Sequence, residues 1–424
     1  MKKFKLAYGS GYVDVEVDEK DIIGELKGNT VPPIEEDCIK SALYASLDNP
    51  IGSQPLKEAV KGLENIVLVV SDMTRFWMRQ DRVIPHVISY LNDCGIDDSR
   101  ITVLIANGTH LPENEEEKRT LVTDEIYERI RVVNHCCSSE NCEYIGTTSF
   151  GTAVNVNKIA VNADIVICLG ACTHHVMAGF GGGRKSILPG ISSRETIEHN
   201  HLFSLDAEKF MTNPMIGNGL LRDNPVNEDM IEAAGMMKNL FMINLVCNAS
   251  FELAYIYSGH YVESWLKACE AVNDIYRVPV DRQADVIITS AGGYPKDQSL
   301  YQGTKLFDNV LSGVKEGGKV IALLEARDGG GSPDYFDWNR HLTEGDFEEA
   351  LRKNFTVGGY VFFLNCEQAR KYEIYLYSDI DEEKVSPMGI LVFHDMDELM
   401  KTADIGGSSV YVIENGSTVV PYVR

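Results

Sequence analysis

The chain has 424 residues and a formal net charge of −24, with 44% hydrophobic and 24% charged residues. Two domains are expected, because a chain of this length exceeds one ordinary hydrophobic core. The acidic balance argues against binding of nucleic acid or anionic membranes, since the long-range field repels polyanions. No apolar run is long enough to span a bilayer, and the N-terminal residues lack the apolar core of a signal peptide, so a cytoplasmic protein is expected.

The predicted elements begin with a hairpin, because residues through about Val17 alternate apolar and polar side chains around Gly9-Ser10-Gly11. Two series of short, β-branched runs follow, and helix-like stretches separate the runs. Strands that alternate with helices predict a mostly parallel, doubly wound sheet. We therefore predict an α/β protein of two domains, residues 1–278 and 279–424, with the active site in the cleft between them.

Each apolar run of the first series ends in a polar cluster. The clusters cover residues 71–75, 107–110 and 173–175, and residues 292–296 take the same position in the second series. Open α/β sheets bind ligands outside the carboxyl ends of their strands. The four clusters are therefore expected to converge on one site.

Four of the ten histidines fall within one short stretch, beside the glycines of residues 179–183 and the pair Arg184-Lys185. These four are His174, His175, His199 and His201. A neutral imidazole can act as a general base or ligate a transition metal. A helix that starts near Ser192 could turn only one of His199 and His201 toward the site. One metal ligand and one structural histidine are expected there, and the sequence leaves open which is which.

The glycine-rich segment has three interpretations. It misses both the Walker-type phosphate loop and the dinucleotide fingerprint, because Arg184 stands where each requires glycine. Adjacent glycines still let backbone N–H groups approach an anion, and Arg184 and Lys185 supply positive charge. A flexible surface loop is the alternative.

The ten cysteines include two clusters, Cys136-Cys137 with Cys142 and Cys168 with Cys172. Neither cluster has the paired spacing of a zinc or iron–sulfur site. All ten cysteines are expected to be reduced in a cytoplasmic chain.

Two further groups offer cations to an anionic ligand. Arg75 shares a strand-end loop with Asp72 and suits bidentate capture of a carboxylate, although a surface Asp–Arg pair is the alternative. Tyr301, Gln302 and Lys305 can share one helix face at their three- and four-residue spacing. A solvated helix face explains this second group equally well.

Together the motifs resemble those of the nickel-pincer lactate racemase family, in the same order and approximate spacing, over most of the chain. The matching motifs are Ser71-Asp-Met-Thr-Arg75, Asn107-Gly-Thr-His110, His175 with Gly181-Gly-Gly-Arg-Lys185, His201, Gly292-Gly-Tyr-Pro-Lys-Asp297 and Tyr301-Gln302-x-x-Lys305. The resemblance implies a nickel pincer nucleotide, a pyridinium-3-thioamide-5-thiocarboxylic acid mononucleotide with nickel. It also implies dedicated cofactor-biosynthesis enzymes as partners and a cofactor bound in the N-terminal domain.

The resemblance further implies roles for individual residues. Lys185 would hold the cofactor through a thioamide bond, and His201 would ligate the nickel. His110 and His175 would be the two acid–base groups. The residues that hold the substrate carboxylate would be Arg75, Tyr301, Gln302 and Lys305. The residues that support the cofactor or its phosphate would be Asp72, Thr109, Gly182, Gly183 and Arg184.

The chemistry of a 2-hydroxy acid fits this division of roles. Racemisation requires breaking a weakly acidic C–H bond, and hydride transfer to a cofactor avoids a carbanion. One histidine takes the hydroxyl proton, and a second serves the opposite enantiomer. A small 2-hydroxycarboxylate is the expected substrate, and the alternatives are a nucleotide-dependent phosphotransferase and a cofactor-free binding relative.

Three departures from the family pattern bear on the pocket. Phe76-Trp77 stands where relatives commonly have proline, which predicts a bulkier pocket wall. His174 competes with His175 for the catalytic role, although the spacing to the basic pair favours His175. The segment around Tyr360 is expected only to line the pocket.

Overall fold

The computed structural model describes residues 1–424. The strands in chain order are β1 (Lys2–Tyr8), β2 (Gly11–Val17), β3 (Ile22–Glu25), β4 (Ile66–Ser71), β5 (Ile101–Ala106), β6 (Arg131–Asn134), β7 (Cys142–Thr147), β8 (Ala153–Asn157), β9 (Ile165–Ala171), β10 (His174–His175), β11 (Gly179–Phe180), β12 (Leu240–Cys247), β13 (Leu253–Gly259), β14 (Arg277–Val280), β15 (Ala284–Ser290), β16 (Val314–Leu323), β17 (Glu373–Tyr377), β18 (Leu391–Phe393), β19 (Val410–Ile413) and β20 (Val420–Val423).

The helices separate most of these strands along the chain. They are α1 (Ile39–Asp48), α2 (Leu56–Ala59), α3 (Ile84–Asp93), α4 (Glu115–Val122), α5 (Asp124–Arg129), α6 (Lys158–Val161), α7 (Arg194–Leu202), α8 (Pro225–Gly235), α9 (Glu263–Tyr276), α10 (Leu300–Gly303), α11 (Lys305–Val310), α12 (Trp338–Glu344), α13 (Phe347–Lys353), α14 (Val357–Lys371), α15 (Glu382–Val385) and α16 (Met396–Ala403). None of them has both the length and the apolar character that crossing a membrane requires.

The chain divides into two compact units. The first unit comprises Thr30–Ser204 and Pro214–Ile275, and the second comprises Met1–Asn29, Leu205–Asn213 and Tyr276–Arg424. Each unit contains a six-stranded sheet with helices, so the predicted α/β class with mostly parallel sheets in two domains is confirmed.

The sheet of the first unit has the strand order β13-β12-β9-β4-β5-β6. All neighbouring pairs are parallel except β12 with β13, which is antiparallel at one edge. The apolar residues of β4 are completely buried, as expected for a central parallel strand that is covered on both faces. Parallel pairing places the carboxyl ends of β4, β5, β9 and β12 at one edge of the sheet, and the candidate site of this unit follows those ends.

The sheet of the second unit has the order β18-β17-β16-β15-β19-β3, and all its neighbouring pairs are parallel. The predicted N-terminal hairpin is confirmed as the antiparallel pair β1–β2. Its apolar face, which includes Leu6 and Val15, packs into the same core as Val286 and Ile321 of the second sheet. The hairpin therefore completes the core of the second unit.

The predicted division at 278/279 lies three residues from the boundary at 275/276, and it differs from the structure at two further segments. Residues 1–29 belong to the second unit, because the hairpin joins its core and β3 pairs with β19. Residues 205–213 also belong there, where Arg352 donates a hydrogen bond to the carbonyl of Asp206 at 2.8 Å. Both assignments depend on pairing between distant parts of the chain, which local sequence patterns do not encode.

Candidate active site

Asp72 and His110 form a pair beyond the ends of the neighbouring strands β4 and β5. The Asp72 carboxylate, 3% exposed, accepts a hydrogen bond from the backbone amide of Thr74 at 3.1 Å and pairs with Nδ1 of His110. Burial alone would raise the pKa of Asp72, but His110, with help from Arg75 and Thr74, brings it below its usual value. A carboxylate at Nδ1 leaves the lone pair of a neutral imidazole on Nε2, which is the arrangement of a general base.

A buried glutamate ties the two loops together. Oε1 of Glu113 accepts a hydrogen bond from the backbone amide of Met73 at 3.0 Å, and Oε2 accepts one from the side chain of Asn107 at 2.5 Å. Glu113 is 7% exposed, so both contacts are sheltered from water. The sequence did not predict this residue, because it is one of four glutamates in residues 113–117 and has no distinctive spacing.

The loop after β5 also contacts the end of the glycine-rich segment. Gly108 has φ of +54°, and its amide donates a hydrogen bond to the carbonyl of Gly190 at 2.9 Å. A side chain at Gly108 would lie 3.4 Å from the carbonyl oxygen of Pro189. Thr109 follows Gly108 directly and is half-buried.

The hairpin β10–β11 separates the two adjacent histidines, because successive strand residues face opposite sides. Nε2 of His174 lies 3.0 Å from the side-chain oxygen of Asn273, and its ring packs against Phe180. Nε2 of His175 instead lies 3.1 Å from Nζ of Lys185. The structure thus places His175, rather than His174, beside Lys185.

Backbone groups fix the orientation of the His175 ring. The amides of Met177 and Ala178 donate hydrogen bonds to Nδ1 at 3.2 and 3.3 Å. The two amides thus hold the ring with Nε2 toward Nζ of Lys185.

Helix α7 distinguishes the other two histidines. Nδ1 of His201 lies 2.9 Å from the carbonyl of Ile197, so Nδ1 carries the proton and Nε2 the lone pair. Burial, followed by the positive charge of Lys185, lowers the pKa of His201 to about 3. His201 is therefore neutral near pH 7, as a metal ligand must be. Nδ1 of His199 lies 2.8 Å from the hydroxyl of Thr152 instead.

A buried polar network around Asp229 holds α7 in place. Asp229 accepts hydrogen bonds from the hydroxyls of Thr148 and Thr152 at 2.6 and 2.9 Å and from the side chain of Asn200 at 2.8 Å. His199 joins this network through Thr152. These contacts indicate a structural role for His199, and they fix the position of the helix that carries His201.

Positions 182 and 183 require glycine, because both have positive φ angles and neither leaves room for a side chain. Their φ angles are +70° and +52°. A Cβ at Gly182 would lie 2.9 Å from the carbonyl oxygen of Ala171, and one at Gly183 would lie 2.6 Å from the ring of Trp265. The indole N–H of Trp265 also donates a hydrogen bond to the carbonyl of Gly181 at 2.9 Å. The segment is therefore a packed part of the first unit and not the flexible surface loop considered above.

Arg184 is fully buried and holds this segment in shape. Nη1 donates a hydrogen bond to the carbonyl of Phe180 at 2.8 Å, and Nη2 donates one to the carbonyl of Ala178 at 2.7 Å. Nε donates to the side-chain oxygen of Asn227 at 3.1 Å, and the guanidinium stacks 3.8 Å from the ring centroid of Trp265. This placement differs from the predicted contact with the cofactor or its phosphate, because the donors point into the protein.

Substituting Arg184→Met is expected to lower the unfolding free energy of the cofactor-free protein by about 2–4 kcal/mol, because two buried carbonyls lose their donors. Urea unfolding of the two proteins measures this difference. Arg194→Met is the control, since that side chain is 56% exposed and should change stability by less than about 0.5 kcal/mol. Equal stability of the Arg184 variant and the wild type would instead place the function of Arg184 on a ligand.

The predicted carboxylate-binding residues of the second unit lie together on α10 and α11. Nζ of Lys305 donates a hydrogen bond to Oε1 of Gln302 at 2.7 Å and lies 5.3 Å from the ring centroid of Tyr301. The three- and four-residue spacing thus predicted the grouping of Tyr301, Gln302 and Lys305 correctly.

In the first unit, the guanidinium of Arg75 donates a hydrogen bond to the hydroxyl of Thr74 at 2.9 Å.

Two other polar residues of the second unit, Tyr360 and Asp308, lie on helices. Tyr360, expected to line the pocket, is fully buried in α14. Asp308 follows Lys305 by three residues on α11 and accepts a hydrogen bond from the side chain of Gln368 at 2.7 Å. Burial raises the pKa of Asp308 to about 7, although Gln368 and the charge of Lys305 act in the opposite direction.

This carboxyl group should appear in the pH dependence of stability. Its pKa is higher in the folded chain than the value of about 4 expected in the unfolded chain, so the unfolded state binds fewer protons between these values. Asp308 thus contributes stability that is present below about pH 4 and is lost as the pH rises through about 7. In urea unfolding from pH 4.5 to 8, Asp308→Asn is expected to lack this loss.

Asp285 provides a control, because its pKa is shifted in the opposite direction. Hydrogen bonds from Lys315 and Ser409 lower its pKa, so it contributes stability above about pH 4 that is lost on acidification. Asp285→Asn should therefore leave the loss between pH 4.5 and 8 intact. The same pH profile for wild type and Asp308→Asn would contradict the raised pKa.

The first unit offers donors for a bound cofactor but not a closed metal site. His201 supplies one neutral imidazole and Lys185 one amine, beside glycines whose Cβ positions are filled by neighbouring atoms. The one set of three metal-ligating side chains that converges is His341, Glu344 and Asp346 of the second unit. A metal held by His201 would therefore take its other ligands from a bound organic group, and sulfur with imidazole suits nickel.

Comparisons with known proteins cover nearly the whole chain. Residues 8–212 match the family model described as the lactate racemase N-terminal domain, and residues 280–421 match that of the C-terminal domain. The lactate racemase of Thermoanaerobacterium thermosaccharolyticum is 31% identical over 436 residues, which cover 99% of each chain. The lactate racemase of Lactiplantibacillus plantarum is 32% identical over 337 residues, which cover 79% of this chain and 78% of that protein.

Solved structures give the same relationship. The lactate racemase apoprotein of Thermoanaerobacterium thermosaccharolyticum superposes with a TM-score of 0.88 at 30% identity, over 100% of both chains. A protein from Thermotoga maritima superposes with a TM-score of 0.66 at 18% identity, over 93% of this chain and 100% of that chain. The second likeness shows the shared fold alone.

Proposed function

The chain belongs to the lactate racemase family and is an enzyme of the racemase class, and we propose that it interconverts the enantiomers of a 2-hydroxycarboxylate, with lactate as the first candidate. The observation that supports this most is the presence of two oriented imidazoles, His110 and His175, beyond strand ends of one sheet. Inversion at a hydroxylated carbon needs two acid–base groups, because the enantiomers present their hydroxyls on different sides.

His110 would serve one side of the substrate as a general base. Asp72 keeps the proton on Nδ1, so Nε2 can accept the hydroxyl proton. The same carboxylate, whose pKa is lowered, stays ionised and stabilises the imidazolium that forms. His175 would return a proton to the substrate oxygen from the other side. A positioned acid or base of this kind typically contributes about 10²–10⁴-fold to the rate.

Local cations would hold the substrate carboxylate. We assign this role to Arg75 and to Lys305, with Gln302 and Tyr301. Such local positive charge is needed in a protein whose net charge is −24. A held carboxylate keeps the orientation of C2 defined while the hydroxyl proton moves.

Lys185 and His201 would hold a nickel pincer nucleotide, Lys185 as the covalent attachment through a thioamide and His201 as the nickel ligand. When bound, this group would accept hydride from C2 and return it. Asp72, Thr109, Gly182 and Gly183 would support the cofactor. A cofactor of this kind would require dedicated biosynthesis enzymes as partners.

The test uses protein produced together with the cofactor-biosynthesis enzymes. Single enantiomers of lactate, malate, 2-hydroxyglutarate and phenyllactate are incubated in D₂O, and the products are analysed by chiral chromatography and mass spectrometry. We expect racemisation of at least one substrate with the C2 hydrogen retained. Extensive deuterium at C2 would exclude hydride transfer, and no racemisation by nickel-containing protein would exclude these substrates. Folded protein made without the biosynthesis enzymes is the inactive control.

A further inference from the structure

Three cysteines lie close together in residues 136–142 of the first unit, from the loop after β6 to the first residue of β7, and none of them has a part in the reaction described above. Cys136 is exposed, Cys137 is half-buried and Cys142 is buried, and all three are free thiols. Sγ of Cys142 lies 4.0 Å from the carbonyl oxygen of Cys136. The buried sulfur is therefore within side-chain reach of the exposed residue.

The groups around Cys136 favour its thiolate. Its Sγ lies 3.4 Å from the hydroxyl of Ser138, and the side chain of Asn141 donates a hydrogen bond to that hydroxyl at 2.7 Å. Hydrogen bonds from the side chain and the backbone of Ser138 lower the pKa of Cys136. Burial raises the pKa of Cys142 to about 11. The segment thus combines one exposed, ionisable thiol with one protonated thiol.

A metal site explains this cluster less well. Metal ligands converge on one point, and these three thiols do not form such a group, whereas His341, Glu344 and Asp346 of the second unit do. An exposed thiolate with a neighbouring thiol is instead typical of an oxidation-sensitive pair, in which one sulfur reacts and the other forms the disulfide.

We propose that Cys136 is a modification site for hydroperoxides and that Cys142 is the thiol that converts its oxidised form into a disulfide. In the first step, the Cys136 thiolate attacks the terminal oxygen of the hydroperoxide and the O–O bond breaks. The sulfur becomes a sulfenic acid, and the leaving alkoxide takes up a proton. In the second step, the Cys142 sulfur attacks the sulfenic sulfur and its thiol proton leaves with the hydroxide as water. Two thiols and one hydroperoxide thus give one disulfide, one alcohol and one water.

The segment is also bonded to the beginning of α7. The backbone amide of Arg194 donates a hydrogen bond to the carbonyl of Cys137 at 2.9 Å, and Nε2 of His135 lies 2.9 Å from the carbonyl of Ser192. A disulfide between Cys136 and Cys142 would constrain the backbone that makes these contacts. Oxidation would therefore act on the first turn of the helix that carries His201.

The chain contains a second pair of thiols that makes the test selective. The sulfurs of Cys172 and Cys269 are only 3.7 Å apart, but both residues are buried. If the distance between sulfurs determined which disulfide forms first, Cys172 and Cys269 would be oxidised first. If exposure and ionisation of the thiol determine it, Cys136 and Cys142 would be oxidised first. The full-length protein is treated with equimolar tert-butyl hydroperoxide, blocked with N-ethylmaleimide and mapped by peptide mass spectrometry. We expect Cys136–Cys142 as the first disulfide. A first disulfide at Cys172–Cys269, or at Cys136–Cys137, would overturn the proposal.

Two variants separate the roles of the thiols. Cys136→Ser is expected to prevent disulfide formation at this segment, because the attacking sulfur is absent. Cys142→Ser is expected to stop at the sulfenic acid, which dimedone traps on Cys136. Trapping of dimedone on Cys142 in the Cys136→Ser protein, or no trapping on Cys136 in the Cys142→Ser protein, would contradict the assignment.

Cys38 is the control for reactivity, because it is exposed like Cys136 but Asp37 raises its pKa. At pH 7 iodoacetamide is expected to modify Cys136 faster than Cys38, since a lower thiol pKa gives a larger thiolate population. Equal rates for the two exposed cysteines would show that the groups around Cys136 do not activate it.

Discussion

Lys185→Arg is expected to abolish racemisation in protein produced with the cofactor-biosynthesis enzymes, a loss of at least about 10³-fold if the amine is required as a nucleophile. Arginine keeps the positive charge and the reach of lysine, but its guanidinium stays protonated and cannot attack an acyl carbon. The intact mass of the variant should equal that of the bare polypeptide, whereas the wild type should carry an added mass. Mass spectrometry and activity are measured on the same preparations.

The geometry around Lys185 gives this prediction its physical basis. Nε2 of His175 lies 3.1 Å from Nζ, and the amides of Met177 and Ala178 hold the ring in this orientation. Lys158→Arg is the control, because Lys158 is exposed and only donates to the carbonyl of Glu140 at 2.6 Å. Substantial racemisation by Lys185→Arg would show that a positive charge is sufficient at this position.

Strand ends explain why much of the candidate site could be predicted from the sequence. Parallel strands place their carboxyl ends at one edge of a sheet, so polar residues that follow apolar runs become neighbours. The structure accordingly pairs Asp72 with His110 and places His175 beside Lys185. Asp72 and His110 are 38 positions apart but follow neighbouring strands, whereas His175 and Lys185 both follow β9.

Side-chain direction could not be predicted in the same way. In the sequence, Arg184 beside glycines indicates a cation that binds an anion. In the structure, its guanidinium donates hydrogen bonds to the carbonyls of Phe180 and Ala178 and stacks on Trp265. Trp265 belongs to α9, so no local sequence pattern around Arg184 predicts this contact. The difference follows from burial, which depends on the whole unit and not on the motif.

Helical periodicity likewise left His199 and His201 as alternatives. The choice depends on Thr152 and Asp229, which belong to other segments. Thr152 forms a hydrogen bond with His199 and donates one to Asp229, so His199 is part of a structural network. His201 is left with Nδ1 on a carbonyl of its own helix and Nε2 as the ligating atom. A sequence can limit the choice to two residues, but hydrogen bonds between segments decide it.

His110→Gln and His175→Gln are each expected to lower kcat/KM by about 10²–10⁴-fold, because each removes a positioned acid–base group. The loss should be equal for the two enantiomers of substrate. A racemisation has an equilibrium constant of one, so the kcat/KM values of the two directions must stay equal in any variant. Chiral chromatography of initial rates from each enantiomer measures both directions.

Single-turnover experiments should reveal the separate roles that steady-state rates conceal. Each variant retains one histidine, so it should still convert one enantiomer to its 2-oxo acid and fail with the other, and the two variants should fail with opposite enantiomers. Rapid quenching with a hydrazine detects the 2-oxo acid. His174→Gln is the matched control, because His174 is adjacent in sequence but contacts Asn273 and Phe180, and it should retain both half-reactions. If both variants lost the same half-reaction, the two imidazoles would serve the same face of the substrate, and the proposed division of acid–base roles would be wrong.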